Sequence, residues 1–168
     1  MRNCFISYHH DNDQEYLDEI RGYYARQNLF DYSLKEDIGY LTNETIYRKV
    51  RQKMYRCSIT IVLIGNRTGH RKWIDWELWA SLRKYTHPYD SSKNFVSNGI
   101  VGIYLPVRKY SVPDRLQDNI DSGYAVTLDW VDIDNNLEKA VEQAYFNRQY
   151  KSYLIDNKRE QMTKNYWF

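Results

Sequence analysis

A tryptophan-rich segment from Trp73 to Ala80 contains one acidic side chain, Glu77, whose setting suggests chemistry. Successive residues of a helix are about 100° apart, so an apolar arc of this segment must face a sheet. That arc consists of Ile74, Leu78, Leu82 and Tyr85. Glu77 lies beside the arc, one turn after Trp73. A carboxylate at the edge of a buried face is costly unless it has a partner or a task. From the residues alone, a rim glutamate paired to Lys84, Lys72 or a loop arginine is the better-supported interpretation, and a functional acid is the alternative.

A second polar cluster follows the first apolar run of the chain, between Phe5 and Asp13. It contains Ser7, His9 and Asp11, residue types that occur in nucleophilic catalysis. Their spacing does not define a catalytic triad, which is recognised by geometry, so we disfavour a serine nucleophile. Ligand contacts and a solvated helix N-cap remain as the two interpretations.

A third segment, Gly65 to Lys72, combines two glycines with four basic or imidazole side chains directly after an apolar run. Backbone amides and cations arranged in this way can hold phosphate. The Gly-x-x-x-x-Gly-Lys-Ser/Thr pattern of a P-loop is absent. Taken alone, the segment is better explained as a solvated basic loop.

Short apolar runs alternate with longer amphipathic ones along the chain, which predicts an α/β fold. The predicted strands are Cys4–Ser7, Leu29–Ser33, Ser58–Ile64, Gly99–Leu105 and Tyr124–Leu128. The predicted helices are Asp13 to about Gln27, a helix capped by Asn43, Trp73 to about Tyr85, and Asn135 to about Asn157 with a capping box completed by Glu138. The stretch Val107–Gly123 is predicted to be a loop that could contain one helical turn.

Such alternation implies a flavodoxin-like three-layer sandwich around a five-stranded parallel sheet of order 2-1-3-4-5. Ligands of these sheets bind beyond the carboxyl ends of the strands, where the strand order switches. The loops Ser7–Asp13, Lys35–Asn43 and Gly65–Lys72 should therefore converge on one cleft. The start of the Trp73 helix should line it.

The length of 168 residues suits one domain, predicted to span residues 1–157 with a C-terminal tail at 158–168. A net charge of +2, from 24 basic and 22 acidic residues, argues against a general nucleic-acid binder. No apolar run is long enough to span a membrane, and no signal peptide is visible. Cys4 and Cys57 fit no metal or disulfide pattern, which predicts buried thiols and a cytoplasmic location.

Taken together, these segments resemble the TIR superfamily, and most closely the TIR-like ThsB family of the bacterial Thoeris anti-phage system. The resemblance begins with Phe5-Ile6-Ser7-Tyr8-His9 and rests more heavily on Ile61–Gly65, Thr68 and Trp73-Ile74-Asp75-Trp76-Glu77. Val101–Pro106 is similar to the family's fourth strand. The resemblance covers about residues 1 to 145, and it supports the TIR fold.

The resemblance implies that Glu77, four residues after Trp73, is the catalytic residue of an enzyme that cleaves NAD between nicotinamide and ribose. NAD is the substrate, and no cofactor or metal is implied. The residues expected to contact NAD are Phe5, Ser7, Tyr8, His9 and Trp73. The expected product is a diffusible ADP-ribose-derived signal that activates a separate effector protein, and the family favours such a signal over plain hydrolysis. Self-association or a phage-derived trigger is expected to be needed for activation.

The alternative function is a non-enzymatic TIR-like adaptor that binds proteins through an aromatic surface. Trp76 and Trp79 are predicted to lie opposite the sheet-facing arc and would form part of that surface. A flavodoxin-like phosphoacceptor domain is set aside, because strand 3 ends in Ile64-Gly65-Asn66 with no aspartate. The pairing of Trp73 with Glu77 favours the enzyme, since an adaptor has no need of it.

Overall fold

Strands and helices alternate along the chain in a computed structural model that describes residues 2–23, 29–30 and 41–166. The strands are β1 (Cys4–Ser7), β2 (Leu29–Phe30), β3 (Ile59–Ile64), β4 (Gly99–Tyr104) and β5 (Val126–Asp129). The helices are α1 (His10–Tyr23), α2 (Asn43–Lys53), α3 (Lys72–Leu82), α4 (Asp114–Asp121) and α5 (Ile133–Tyr150). The predicted α/β class is confirmed.

The strands pair in parallel, and their spatial order is β2-β1-β3-β4-β5. β3 and β4 form the longest pairing, from Ile59 opposite Gly99 to Ile64 opposite Tyr104. β2 contributes only Leu29 and Phe30, which pair with Cys4 and Phe5 at the edge of the sheet. The rest of the predicted second strand, residues 31–33, lies outside the described residues, as do residues 24–27 of the predicted first helix.

β3 is buried at all six positions, which confirms the prediction of a central strand covered on both faces. Its alternate side chains enter two layers. Ile59, Ile61 and Leu63 pack with α1 and α5, whereas Val62 and Ile64 pack with α3 and α4. The predicted apolar arc of α3 meets the sheet through Ile74, Leu78 and Leu82. The prediction is wrong for Tyr85, which lies beyond the end of α3 and packs with the cluster around α2. Because the face of α3 that carries this arc is buried against the sheet, ligands and other segments of the chain can contact only its remaining faces.

The stretch between β4 and β5 contains a two-turn helix, α4, where the sequence predicted a loop with at most one turn. Pro113 occupies its N-cap position. The buried face of α4 includes Arg115 and Asn119 beside Leu116, so it lacks the apolar stripe from which helices are recognised. Arg115 and Asn119 are held by partners far away in the sequence.

Several helix boundaries also differ from the predictions. α1 begins at His10 rather than Asp13, and α2 is capped by Thr42 rather than Asn43, with Thr42 Oγ1 accepting from Thr45 N at 3.3 Å. α5 begins at Ile133 after a 3₁₀ turn, so the predicted capping box at Asn135 is wrong. The helix ends at Tyr150, well before residue 157, and a second 3₁₀ turn follows.

The residues after α5 return across α3 and α4, and we call 157–166 the C-terminal segment. Asp75 Oδ2 accepts from Met162 N at 2.8 Å, and Trp76 Nε1 donates to Met162 O at 2.9 Å. Closer to the end of the segment, Tyr166 N donates to His70 O at 2.8 Å. These contacts place the C-terminal segment against α3, and the domain boundary at residue 157 stays a prediction.

Two negative findings apply to the described ranges. None of the helices found there has the length and apolar character to cross a bilayer. Within the same ranges, no group of three or more His, Cys, Asp or Glu side chains is arranged to hold a metal ion. Cys4 and Cys57 are buried free thiols, as predicted.

Candidate functional site

The loops after β1 and β3 meet at the carboxyl edge of the sheet. Asn12 Nδ2 donates to Asn66 Oδ1 at 2.6 Å, and Arg71 Nε donates to His9 Nε2 at 2.9 Å. Arg71 also pairs with Asp11, at 3.1 Å from Nη2 to Oδ2. The third loop of the predicted cleft, Lys35–Asn43, lies outside the described residues as far as position 40. Two of the three predicted loops therefore converge as expected.

His9 is held in a single neutral form by this arrangement. Because Arg71 Nε–H donates to Nε2, that nitrogen must be unprotonated, and the imidazole proton sits on Nδ1. Burial, reinforced by the charge of Arg71, lowers the pKa of His9. The ring is only 4% exposed, and its Nδ1 has no hydrogen-bond partner among the described residues. His9 thus offers a buried N–H donor at the edge of the sheet.

Asp13 brings a buried carboxyl group to the same edge, against the backbone of Gly65. A Cβ at position 65 would come within 2.8 Å of Asp13 Oδ2, so a larger residue there would force the Asp13 carboxyl group to shift. Burial, with a smaller contribution from Glu15, raises the pKa of Asp13 to about 6. Asp13 was not among the predicted site residues, and the small residue that ends β3 was the one sequence signal of this close approach.

The raised pKa of Asp13 predicts a specific pH dependence of stability. Because the native state binds this proton more tightly than the unfolded chain, the carboxyl favours folding most below about pH 4. That contribution is lost as the pH rises through about 6. We expect the effect of Asp13→Asn on the free energy of unfolding to be about 2 kcal/mol more favourable to folding at pH 7 than at pH 4. Urea unfolding at the two pH values measures this. An equal effect of the substitution at both would contradict the assignment.

The predicted NAD contacts on β1 divide between the two faces of the sheet. Phe5 is buried against α2 and α3, in a cluster that includes Val50 and Trp76. Ser7 follows on the same face, because strand side chains alternate, and its Oγ has no hydrogen-bond partner among the described residues. Tyr8 lies on the opposite face, where its hydroxyl donates to Gln14 Oε1 at 2.7 Å. Phe5 and Ser7 therefore share the face of α3, and Tyr8 does not.

Glu77 and Trp73 occupy successive turns of α3. The Glu77 side chain is only 2% exposed. Trp73 is half-buried and packs edge-on against Trp76, with their ring centroids 5.2 Å apart. Lys72 Nζ lies 5.1 Å from the centroid of Trp73 and 5.3 Å from that of Trp76. The start of α3 thus combines a cation, two indole rings and a buried carboxyl group.

The predicted aromatic surface opposite the sheet is wrong for Trp76, which is 3% exposed. Its ring packs on α2, and its Nε1 donates to the C-terminal segment. Trp79 packs against the same cluster, and its backbone carbonyl accepts from Asn157 Nδ2 at 3.1 Å. α3 is therefore covered on the side away from the sheet as well. Trp76 therefore cannot form part of the aromatic surface that the adaptor interpretation requires.

The basic loop between β3 and α3 uses its amides within the fold. Gly65 N donates to Thr68 Oγ1 at 2.7 Å, and Gly69 N donates to Ser111 O at 2.8 Å. Thr68 Oγ1 in turn donates to Leu63 O at 3.0 Å. These bonds fix the approach of the chain to α3 and leave these two amides committed, so they do not form a phosphate cradle.

A cavity of about 310 Å³ opens beside Trp76, between the start of α2 and the C-terminal segment. Its wall includes Leu41, Ile46 and Met162. This volume is at the lower end of the range for small-molecule sites. Glu77 does not line it, so the carboxylate is closed off from this opening in the present conformation.

Comparison with known proteins shows that the chain is similar to one described family. Residues 5–110 match the family model described as "Thoeris protein ThsB, TIR-like domain". A curated relative from Bacillus cereus (strain MSX-D12), "Putative cyclic ADP-D-ribose synthase ThsB1", is 24% identical over 111 residues. The alignment covers 62% of this chain and 52% of the relative, so it spans about half of that protein's length. The region matched by the family model contains β1 from Phe5 onward, the basic loop and all of α3.

Proposed function

Because the chain belongs to the Thoeris ThsB TIR-like family, we propose that it is an anti-phage defence enzyme that cleaves NAD at the nicotinamide–ribose bond. The product is an ADP-ribose-derived signal nucleotide, cyclic in our proposal, that activates a separate effector protein. The observation that carries the proposal is Glu77, a carboxyl group buried in α3 four residues after Trp73 and inside the matched region.

Glu77 is the proposed catalytic residue. Departure of nicotinamide leaves an oxocarbenium-like ribose, as in glycoside hydrolysis, and a carboxylate stabilises the positive charge that develops. Nicotinamide leaves as a neutral group, so no general acid is required. The surroundings of Glu77 strengthen its effect, since a charge in a water-poor site interacts more strongly than one in solvent.

Phe5, Ser7, Tyr8, His9 and Trp73 are the proposed NAD contacts, with NAD as substrate and no cofactor. The Nδ1–H of His9 would donate to a polar group of NAD, and the cation of Arg71 beside it suits the pyrophosphate. Phe5 and Ser7 lie on the α3 face of the sheet. Trp73 is half-buried, so one side of its ring can stack on a planar base or on nicotinamide.

The identity of the nucleophile decides the product. Water would give ADP-ribose, an atom of the same molecule would give a cyclic isomer, and a third molecule would give a conjugate. A site that excludes water favours the second outcome. The name of the Bacillus relative, a cyclic ADP-D-ribose synthase, supports the same choice.

The burial of Glu77 also bears on regulation. NAD cannot touch a side chain that is 2% exposed unless covering groups move. We therefore propose that the described conformation is quiescent. Self-association or a phage-derived trigger would open the site. If self-association opens the site, the turnover rate per protein molecule should rise with protein concentration; if a phage-derived trigger opens it, that rate should not depend on protein concentration.

Three finer assignments accompany the proposal. The two buried free thiols, Cys4 and Cys57, suit a reducing cytoplasm. The pairing of Leu29 and Phe30 with β1 supports a full edge strand that completes the order 2-1-3-4-5. The TIR-like domain is proposed to span residues 1–157, with a tail at 158–168 that contacts α3 through Met162.

Mass spectrometry of NAD incubated with the concentrated protein tests the function. Parallel samples contain lysate from phage-infected cells as the trigger, and the Glu77→Gln protein serves as the matched control. Nicotinamide together with a new nucleotide, both absent from the control, is the expected result. The mass of that nucleotide separates ADP-ribose from its cyclic form, which is lighter by one water, and from a conjugate. Intact NAD in every sample would contradict the proposal and favour the adaptor.

A further inference from the structure

A second and larger cavity, of about 650 Å³, lies between α2 and the irregular segment that follows α3. Its volume falls in the middle of the range for small-molecule sites. The described residues that line it include three cations, Arg48, Arg51 and Lys93, and no carboxylate. None of the proposed NAD contacts belongs to this wall. The cavity is therefore a separate feature with a strong bias in charge.

Arg51 lines this cavity and is only 4% exposed. Nη1 donates to Asn98 Oδ1 at 3.1 Å, and Nη2 donates to Val96 O at 3.1 Å and to Arg83 O at 3.3 Å. Its Nε has no hydrogen-bond partner within the described part of the chain. All of the acceptors named here are neutral. The contacts position the guanidinium, but they do not neutralise it.

A buried cation without a carboxylate is unusual, because removing a charge from water costs several kcal/mol. The carbonyl of Ser81, near the C-terminus of α3, accepts from Arg51 Nη2 at 3.4 Å, and the helix dipole offsets part of that cost. No ion pair to Arg51 or Arg48 is found among the described residues. The third cation of the wall, Lys93, does have an acidic partner, because its Nζ lies 3.9 Å from Asp90 Oδ2. The cavity is thus preorganised for an anion.

Aromatic rings supply the other half of the wall. Tyr85 packs against Tyr47 and Phe95, with centroid distances of 5.6 Å and 6.3 Å. Arg51 Cζ lies 5.5 Å from the centroid of Phe95. Tyr55 also lines the cavity and is 63% exposed, so its ring is accessible to an incoming molecule. Rings of this kind stack on planar heterocycles, and adjacent guanidinium groups bind phosphate.

We propose that this cavity is a binding site for a mononucleotide, with its phosphate beside Arg48 and Arg51 and its base against the tyrosine rings. A mononucleotide combines a phosphate group, which the cations of the wall can bind, with a planar base, which can stack on its aromatic rings. A long nucleic acid fits less well, because such binders carry a basic excess and the net charge of this chain is only +2.

The position of the cavity links it to α3. Arg51 bonds to the carbonyl of Ser81, which lies one helical turn after Glu77. A phosphate that draws the guanidinium toward the cavity would compete with the carbonyls at the C-terminal end of the same helix. The occupant of the cavity would therefore act on the helix that carries the proposed catalytic residue. Binding itself does not depend on NAD cleavage.

Isothermal titration calorimetry with AMP tests the proposal, using Glu77→Gln protein so that turnover plays no part. We expect saturable binding and, for Arg48→Glu in the same background, an affinity lower by at least about tenfold, since one charge-assisted contact is replaced by repulsion. Arg48 is exposed, so the variant should fold. Lys139→Glu makes the same change of charge at an exposed position on α5 and should bind AMP normally.

Additional titrations test the phosphate contacts and the base contacts separately. Adenosine and inorganic phosphate, each carrying half of the ligand, should bind more weakly than AMP, and Tyr55→Ala should weaken AMP binding as well. Absence of AMP binding, or equal affinity in Arg48→Glu and Lys139→Glu, would overturn the proposal. A single-stranded oligonucleotide that bound more tightly than AMP through the same residues would overturn it in favour of a nucleic-acid site. None of these outcomes bears on Glu77, because NAD cleavage is not the readout.

Discussion

Replacing Glu77 with glutamine is expected to reduce NAD cleavage by at least about 10³-fold while the protein remains folded. Loss of one preorganised electrostatic group typically costs 10² to 10³ in rate, and here the lost group is the full charge proposed to face the oxocarbenium ion. The side chain keeps its size, so the packing of α3 between the sheet and α2 should survive. Nicotinamide release under single-turnover conditions measures the effect.

Stability gives this prediction a second readout. Glu77 is 2% exposed, and glutamine keeps both its size and its capacity to hydrogen-bond, so the melting temperature should change little. The matched control is Glu142→Gln. It removes the charge of Glu142 from an exposed ion pair with Arg2, and this variant should cleave NAD normally. Normal turnover by Glu77→Gln would refute the catalytic assignment. Loss of turnover together with loss of folding would leave the carboxyl with a structural role only.

The elements that could be predicted are those whose apolar pattern matches one dominant partner. β3 is an unbroken run of β-branched and aliphatic residues, and it forms the buried centre of the sheet. The arc of Ile74, Leu78 and Leu82 repeats at helical spacing because the sheet lies along one side of α3. In both cases the neighbour is a large apolar surface, and a periodic pattern suffices to satisfy it.

Elements with polar partners could not be predicted in the same way. α4 buries Arg115 and Asn119, whose hydrogen-bond partners include Asp75 in α3 and residues near the C-terminus. The covered face of Trp76 has the same origin, since Met162 supplies the carbonyl that its indole needs. Contacts so distant in the sequence leave no periodic signal near the residue that they bury. The pattern around Trp76 therefore resembled an exposed aromatic surface.

The candidate site shows the same division. Convergence of the loops after β1 and β3 follows from parallel topology, because the carboxyl ends of neighbouring strands share one edge. The neutral state of His9 and the raised pKa of Asp13 depend instead on individual approaches, by Arg71 in the first case and by burial beside Gly65 in the second. Strand pleating also sends Tyr8 to the face opposite Phe5, a consequence of spacing that the motif alone did not reveal.

Removal of the Arg115 guanidinium is expected to give the largest loss of stability. Arg115 is fully buried and bonds to both oxygens of Asp75, at 2.8 Å and 3.4 Å. It also donates to the C-terminal segment, at Asn157 Oδ1, Arg159 O and Glu160 O. In Arg115→Met the Asp75 carboxylate would stay buried without its counter-ion, which costs about 3–5 kcal/mol of unfolding free energy. Urea unfolding at neutral pH measures the change.

Arg159→Met provides the matched control, since Arg159 pairs with Asp118 at 2.9 Å while its own side chain is 48% exposed. A solvent-exposed pair contributes less than about 1 kcal/mol, so the same substitution should cost little there. If Arg115→Met is too unstable to isolate, the double variant Asp75→Leu with Arg115→Met keeps the test open. Removing both charges should recover much of the loss, because the unpaired carboxylate is its main source. Similar small losses in the two single variants would show that the C-terminal segment is held by its backbone contacts rather than by the buried ion pair.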